Sequence, residues 1–115
     1  MPHIVVEYSS GGHGRFDIAE LMQALHAAAA ATDVMKASDI KIRAVSYDDY
    51  LVAGVRDGFC HVSVYMLEGR SDRQKQIVSE GLRAILCETL PQTKSLSVDI
   101  RDMDSLAYKK RLNPN

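Results

Sequence analysis

The 115-residue chain predicts a single α/β domain: two successive β-α-β units whose four strands form one sheet, with both helices on one face. Three observations carry this. Two segments with helical periodicity each open on a capping residue, and four β-rich runs flank them. The order strand-helix-strand occurs twice, over about residues 2–51 and 59–102, before a polar, basic tail. Residue identity between the halves is slight, but they match element for element, as an internal duplication would. A chain of this length holds one domain.

Along the chain, His3 to Tyr8 contains Ile4, Val5 and Val6 and reads as a strand. Ser9 to Gly14 is polar and Gly-rich, a mobile surface loop by composition. A helix then opens at Asp17, with Glu20 completing a capping box and Phe16 placed to staple onto Leu21. Ile18, Leu21, Met22 and Leu25 recur at helical spacing, Ala27 to Ala31 allows close approach to a sheet, and the helix should end near Thr32. Asp39 to about Leu51 is the second strand region, where Lys41 and Arg43 share one face of the pleat.

After the turn at Arg56-Asp57-Gly58, Phe59 to Leu67 alternates Cys60, Val62, Val64 and Met66 with His61, Ser63 and Tyr65. Ser71 with Gln74 forms a second capping box, and Val78, Leu82, Ile85, Leu86 and Leu90 make the buried stripe of a helix that Pro91 stops. Ser95 to Arg101 is the fourth strand. Each unit should form a right-handed parallel pair of strands. The sheet face away from the helices is then uncovered, which calls for another subunit.

Composition narrows the function. Apolar residues make up 46% of the chain, enough for a core, and with two Phe and no Trp that core must be aliphatic. Fourteen Lys and Arg against 15 Asp and Glu give a net charge of -1 with no basic half, which argues against nucleic acid. No run is long and apolar enough for a membrane span, and the first residues lack a secretory pattern. Cys60 and Cys87 are too few for a disulfide framework or a zinc knuckle; as buried reduced thiols they fit the cytoplasm. Metal chemistry is not expected.

No Gly-x-Ser-x-Gly elbow, dinucleotide fingerprint, Walker loop or His-Glu-x-x-His occurs. What stands out is Pro2, directly before a strand. Loss of Met1 would expose a secondary amine, and apolar burial with nearby cations would lower its pKa toward neutrality. Proline at a strand's first position is also simply tolerated, and composition alone favours that plainer reading.

The motifs change that balance. Pro2-His3-Ile4-Val5-Val6-Glu7-Tyr8-Ser9 resembles the opening of the 5-carboxymethyl-2-hydroxymuconate isomerases, of the tautomerase superfamily. Ile40-Lys41-Ile42-Arg43, Gly69-Arg70-Ser71 with Gln74, and Leu106-Ala107-Tyr108-Lys109 resemble further segments of that family, so the similarity runs over nearly the whole chain. The resemblance implies a cofactor-independent homotrimeric isomerase acting on a dienol or keto dicarboxylic acid. It assigns Pro2 as acid/base and Arg70 and Arg43 as carboxylate ligands. Lys41 stands where the family pattern has another arginine, which points to a substrate differing in detail, since Lys lacks the two-pronged grip. Arg70 also has its own rationale beside a helix N-terminus. His3 and His61 read as structural groups and Glu7 as the partner of a cation. The same element order is also that of ferredoxin-like binding or oligomerisation modules, which need no catalysis; the element order leaves the two sheet arrangements open.

Overall fold

A computed structural model describes residues 1–114. The elements are β1 (His3–Ser9), α1 (Ile18–Ala31), a 3-10 turn (Ala37–Asp39), β2 (Lys41–Tyr47), β3 (Phe59–Leu67), α2 (Asp72–Thr89) and β4 (Ser95–Met103). The sheet order is β2-β1-β3-β4, with β1 and β2 parallel, β3 and β4 parallel, and the two units joined antiparallel through β1 and β3. The two strands of each unit are direct neighbours. In a ferredoxin-like split unit a foreign strand would separate them, so the sheet order excludes that arrangement.

The pleat sorts the residues by parity. Ile4 and Val6 of β1 and Cys60, Val62, Val64 and Met66 of β3 are buried against Leu21, Leu25 and Ala29 of α1 and Val78, Leu82 and Leu86 of α2. On the opposite face the registered rows are Lys41-His3-Tyr65-Arg101 and Arg43-Val5-Ser63-Asp99. Lys41 and Arg43 therefore share the uncovered face, as their spacing predicts.

Local signals explain the helices. At α2 the Ser71 hydroxyl accepts from Gln74 N (3.1 Å) while Gln74 Oε1 accepts from Ser71 N (2.9 Å), a complete capping box. At α1 the box does not close: Asp17 accepts from Ala19 N instead (2.9 Å), and Glu20 is exposed and makes no return bond. Phe16 packs against the core that holds Leu21 and meets the Tyr8 and His13 rings, at 5.4 and 4.8 Å.

Two boundaries and one loop differ from expectation. β2 ends at Tyr47, because its partner β1 ends at the paired Ser9 and the ladder has nothing beyond it to bond. β4 runs on to Met103, because β3 extends to the paired Leu67. The Ser9–Gly14 segment is pinned rather than mobile. His13 is only 4% exposed, with Nε2 2.7 Å from the Ser9 carbonyl and Nδ1 2.7 Å from Thr93 Oγ1. Gly12, in the left-handed region at φ 88°, lies against Gly58 so closely that a Cβ there would fall 2.7 Å from the Gly58 Cα.

Candidate active site

The topology draws four chain segments to one end of the sheet. β1 and β2 begin there, as parallel neighbours, and Lys41 N donates to the Pro2 carbonyl (3.1 Å). β3 runs antiparallel to β1, so it finishes at the same end and hands over to the corner before α2. Gly69, at φ 111°, makes that corner in a conformation that disfavours side chains, and it delivers Arg70 beside the N-terminus. β4 ends alongside β3, so the C-terminal tail leaves from the same place.

Pro2 and Arg70 consequently line one cavity of 220 Å³, walled also by Met1, Asp33, Met35 and Asp39. Pro2 is buried and Met1 half-buried. Arg70 Nη1 donates to the Leu67 carbonyl (3.3 Å), which anchors the guanidinium at the corner. The Met1 amine is held below its ordinary value of 8.0, first by burial, then by the charges of Arg70 and Lys110, with a smaller push from Lys41 that Asp39 opposes. At this cavity the neutral form of the amine is favoured, with Arg70 and Lys36 set against the carboxylates of Asp33 and Asp39.

Lys41 lies at the same end but does not line this cavity; its Nζ donates to the Asp39 carbonyl (2.9 Å). Arg43 is one pleat further along the uncovered face. It lines a second cavity of 490 Å³ with His3, Val5, Ser63, Tyr65 and Tyr108, and its Nη1 donates to His3 Nδ1 (3.1 Å). Of the four residues singled out from sequence, then, Pro2 and Arg70 share a cavity, Lys41 contributes charge at its margin, and Arg43 faces a neighbouring space.

Glu7 departs from expectation: its Oε2 accepts the Tyr47 hydroxyl rather than pairing with a cation. That contact raises the Tyr47 pKa, with burial and the Glu7 charge adding smaller pushes. His61 has the structural role foreseen, with Nδ1 2.6 Å from Ser97 Oγ. Sequence reasoning placed Tyr108 in a family-like segment but gave it no role, and missed Lys110; the tail returns both to the N-terminal end, and an aromatic residue within the basic run was the available signal. Among the described residues, no three His, Cys, Asp or Glu side chains converge as a metal site, and no helix is long and apolar enough to cross a membrane.

Two β-α-β units in one mixed sheet, with two helices on one face and Pro2 and Arg70 lining one cavity, have the architecture of a tautomerase-type α/β domain. The family model described as 5-carboxymethyl-2-hydroxymuconate isomerase matches residues 2–113, and the chain belongs to that family. It is an isomerase of the tautomerase superfamily. A 5-carboxymethyl-2-hydroxymuconate isomerase from Deinococcus radiodurans R1 superposes with a TM-score of 0.85 at 26% identity, covering 97% of this chain and 90% of that one. A 5-carboxymethyl-2-hydroxymuconate delta-isomerase superposes with a TM-score of 0.72 at 20% identity, covering 98% and 89%. A fused 4-OT wild-type symmetric trimer gives 0.77 at 23%, covering 89% and 85%. The last two, at these identities, speak to the fold alone. No curated protein matches the chain.

Proposed function

We propose that the chain, once Met1 is removed, isomerises 5-carboxymethyl-2-hydroxymuconate or a closely related dienol/keto dicarboxylic acid without a cofactor. The Pro2 nitrogen accepts the proton of the 2-hydroxyl, and the electron pair moves through the conjugated system. The same nitrogen then returns a proton to carbon, so that C–H forms as O–H is lost. Arg70 holds a carboxylate and stabilises the charge on oxygen as it develops. Arg43 takes a second carboxylate, with Lys41 adding positive charge between them. The substrate's conjugation spreads the negative charge, so this reading calls for no cofactor.

The observation that carries this is the shared cavity of Pro2 and Arg70, set among cations that keep an amine proton-poor. Pro2's own amine would lie one residue further into the fold, before the same guanidinium. The uncovered sheet face, together with the trimeric assembly of the fused 4-OT relative, supports a homotrimer. A cytoplasmic enzyme of aromatic-compound catabolism fits the reduced thiols and the dicarboxylate substrate.

The test is ultraviolet detection of dienol ketonisation by processed protein, Pro2→Ala and Arg70→Ala. Pro2→Ala should lose most of its turnover. Arg70→Ala should show a raised KM with part of kcat retained. Equal activity in all three would end the proposal.

A further inference from the structure

His3, the residue after Pro2, sits in the middle of a hydrogen-bonded chain. Arg43 Nη1 lies 3.1 Å from its Nδ1, and the Tyr108 hydroxyl lies 2.9 Å from its Nε2. A guanidinium nitrogen can only donate, so Nδ1 must be the bare acceptor, Nε2 carries the hydrogen, and the Tyr108 oxygen receives it. The direction is settled along the whole chain: Arg43 to His3 to Tyr108. The His3 and Tyr108 rings meet edge-on, 5.9 Å between centroids at 74°.

The tail that presents Tyr108 is itself fastened. Ser105 N and Oγ both donate to Glu68 Oε1 (2.9 and 3.0 Å), Leu106 N donates to Asp104 Oδ1 (2.9 Å), and Tyr108 N donates to the Asp104 carbonyl (3.0 Å). Tyr108 is therefore held from the β3–α2 corner, the corner that also carries Arg70.

We propose that Tyr108 is a positioning residue: by accepting from His3 Nε2 it fixes the neutral tautomer whose Nδ1 holds Arg43 over the second cavity, ready for the far carboxylate of a dicarboxylate ligand. Arg43 has five N–H groups and gives one to His3, so a bidentate pair remains for an anion. The surroundings keep His3 uncharged. From β2 it faces Lys41 and Arg43, from β3 Tyr65, from the tail Tyr108, and from its own strand the chain amine and, farther along the cavity, Glu7. Burial first, then Arg43, Lys41 and the amine, lowers the His3 pKa below 6.5. A proton on Nδ1 would remove Arg43's acceptor and set a third cation beside it.

This role rests on the dicarboxylate reading of the site, so its test uses binding rather than turnover. The probe is adipate, a saturated dicarboxylate, titrated into wild type and Tyr108→Phe and followed by NMR. Nitrogen-15 shifts of the His3 ring are read in both. The wild type should show Nε2 protonated and Nδ1 bare at neutral pH, and Tyr108→Phe should bind adipate about fivefold to tenfold more weakly, the loss of one hydrogen bond's worth of ordering. In a His3→Asn background, whose amide oxygen can still accept from Arg43, Tyr108→Phe should have no further effect. Nδ1-protonated His3, no adipate binding to the wild type, equal affinity in wild type and Tyr108→Phe, or additive losses in the double variant would each overturn the assignment. An inactive wild type that nevertheless meets these expectations would fault the isomerase chemistry alone.

Discussion

His13→Ala should destabilise the protein by about 3 kcal/mol. The imidazole is buried and joins two segments distant in sequence, β1 at Ser9 and the α2–β4 connection at Thr93, the latter 80 residues from His13. Its Nε2 is 2.7 Å from the Ser9 carbonyl, so Nε2 carries the hydrogen and Nδ1 accepts the Thr93 hydroxyl, also at 2.7 Å. Truncation leaves a carbonyl and a hydroxyl buried without partners, at roughly 1–3 kcal/mol each, and opens a gap beside Phe16. Water entering the gap recovers part of this, hence a value in the lower half of the summed range. The assay is urea unfolding followed by circular dichroism, at fixed protomer concentration because assembly adds a mass-action term. Thr93→Val should cost about 1–2 kcal/mol, and the double variant should fall short of additivity by about 1 kcal/mol, since one bond is lost in both singles. A loss below 1 kcal/mol for His13→Ala, or strict additivity, would refute the pinning of this loop.

Three further outcomes follow from the geometry. Gly12→Ala should cost about 2–3 kcal/mol in the same unfolding assay, because its Cβ meets Gly58 backbone that cannot swing aside; Gly54→Ala, at φ 79° with open space around it, should cost about 1 kcal/mol from backbone strain alone. Iodoacetamide should label only Cys87 in the folded protein, and both thiols after unfolding, because Cys87 is exposed whereas burial pushes the Cys60 thiol up to about 12. In processed protein, kcat/KM should rise with pH as the Pro2 amine loses its proton, and Arg70→Ala should shift that rise upward by removing a positive charge from the same cavity. In the chain that keeps Met1, the lowered pKa of the Met1 amine makes stability increase as pH rises toward 8, because the unfolded chain keeps a proton that the folded one has released.

The elements that could be read from sequence were those whose causes are local. Ser71 and Gln74 announce α2 within one turn, and the alternation of Cys60, Val62, Val64 and Met66 assigns their face without knowledge of the neighbouring strands. Asp17 announced α1 equally well, but not which amide it would cap. Pro2 and Arg70 were legible through the motifs around them, not through spacing, and their meeting depends on an antiparallel β1–β3 pairing that no local pattern encodes. What was missed is long-range: His13 reaches Thr93, and Tyr108 reaches His3 across 105 positions. A Gly-rich, polar loop carries no mark of the partner that will bury it. The strand ends followed the same rule, since Tyr47 and Met103 stop where a neighbouring strand stops rather than where their own pattern fades.

The most direct measurement compares ketonisation of the dienol by two preparations of the same chain, identified by intact mass as starting at Pro2 or retaining Met1. A free secondary amine among the Arg70 and Lys110 charges should turn over substrate, while the Met1-bearing chain, whose proline nitrogen is locked in an amide, should fall to background. Equal rates from the two would remove Pro2 from the chemistry.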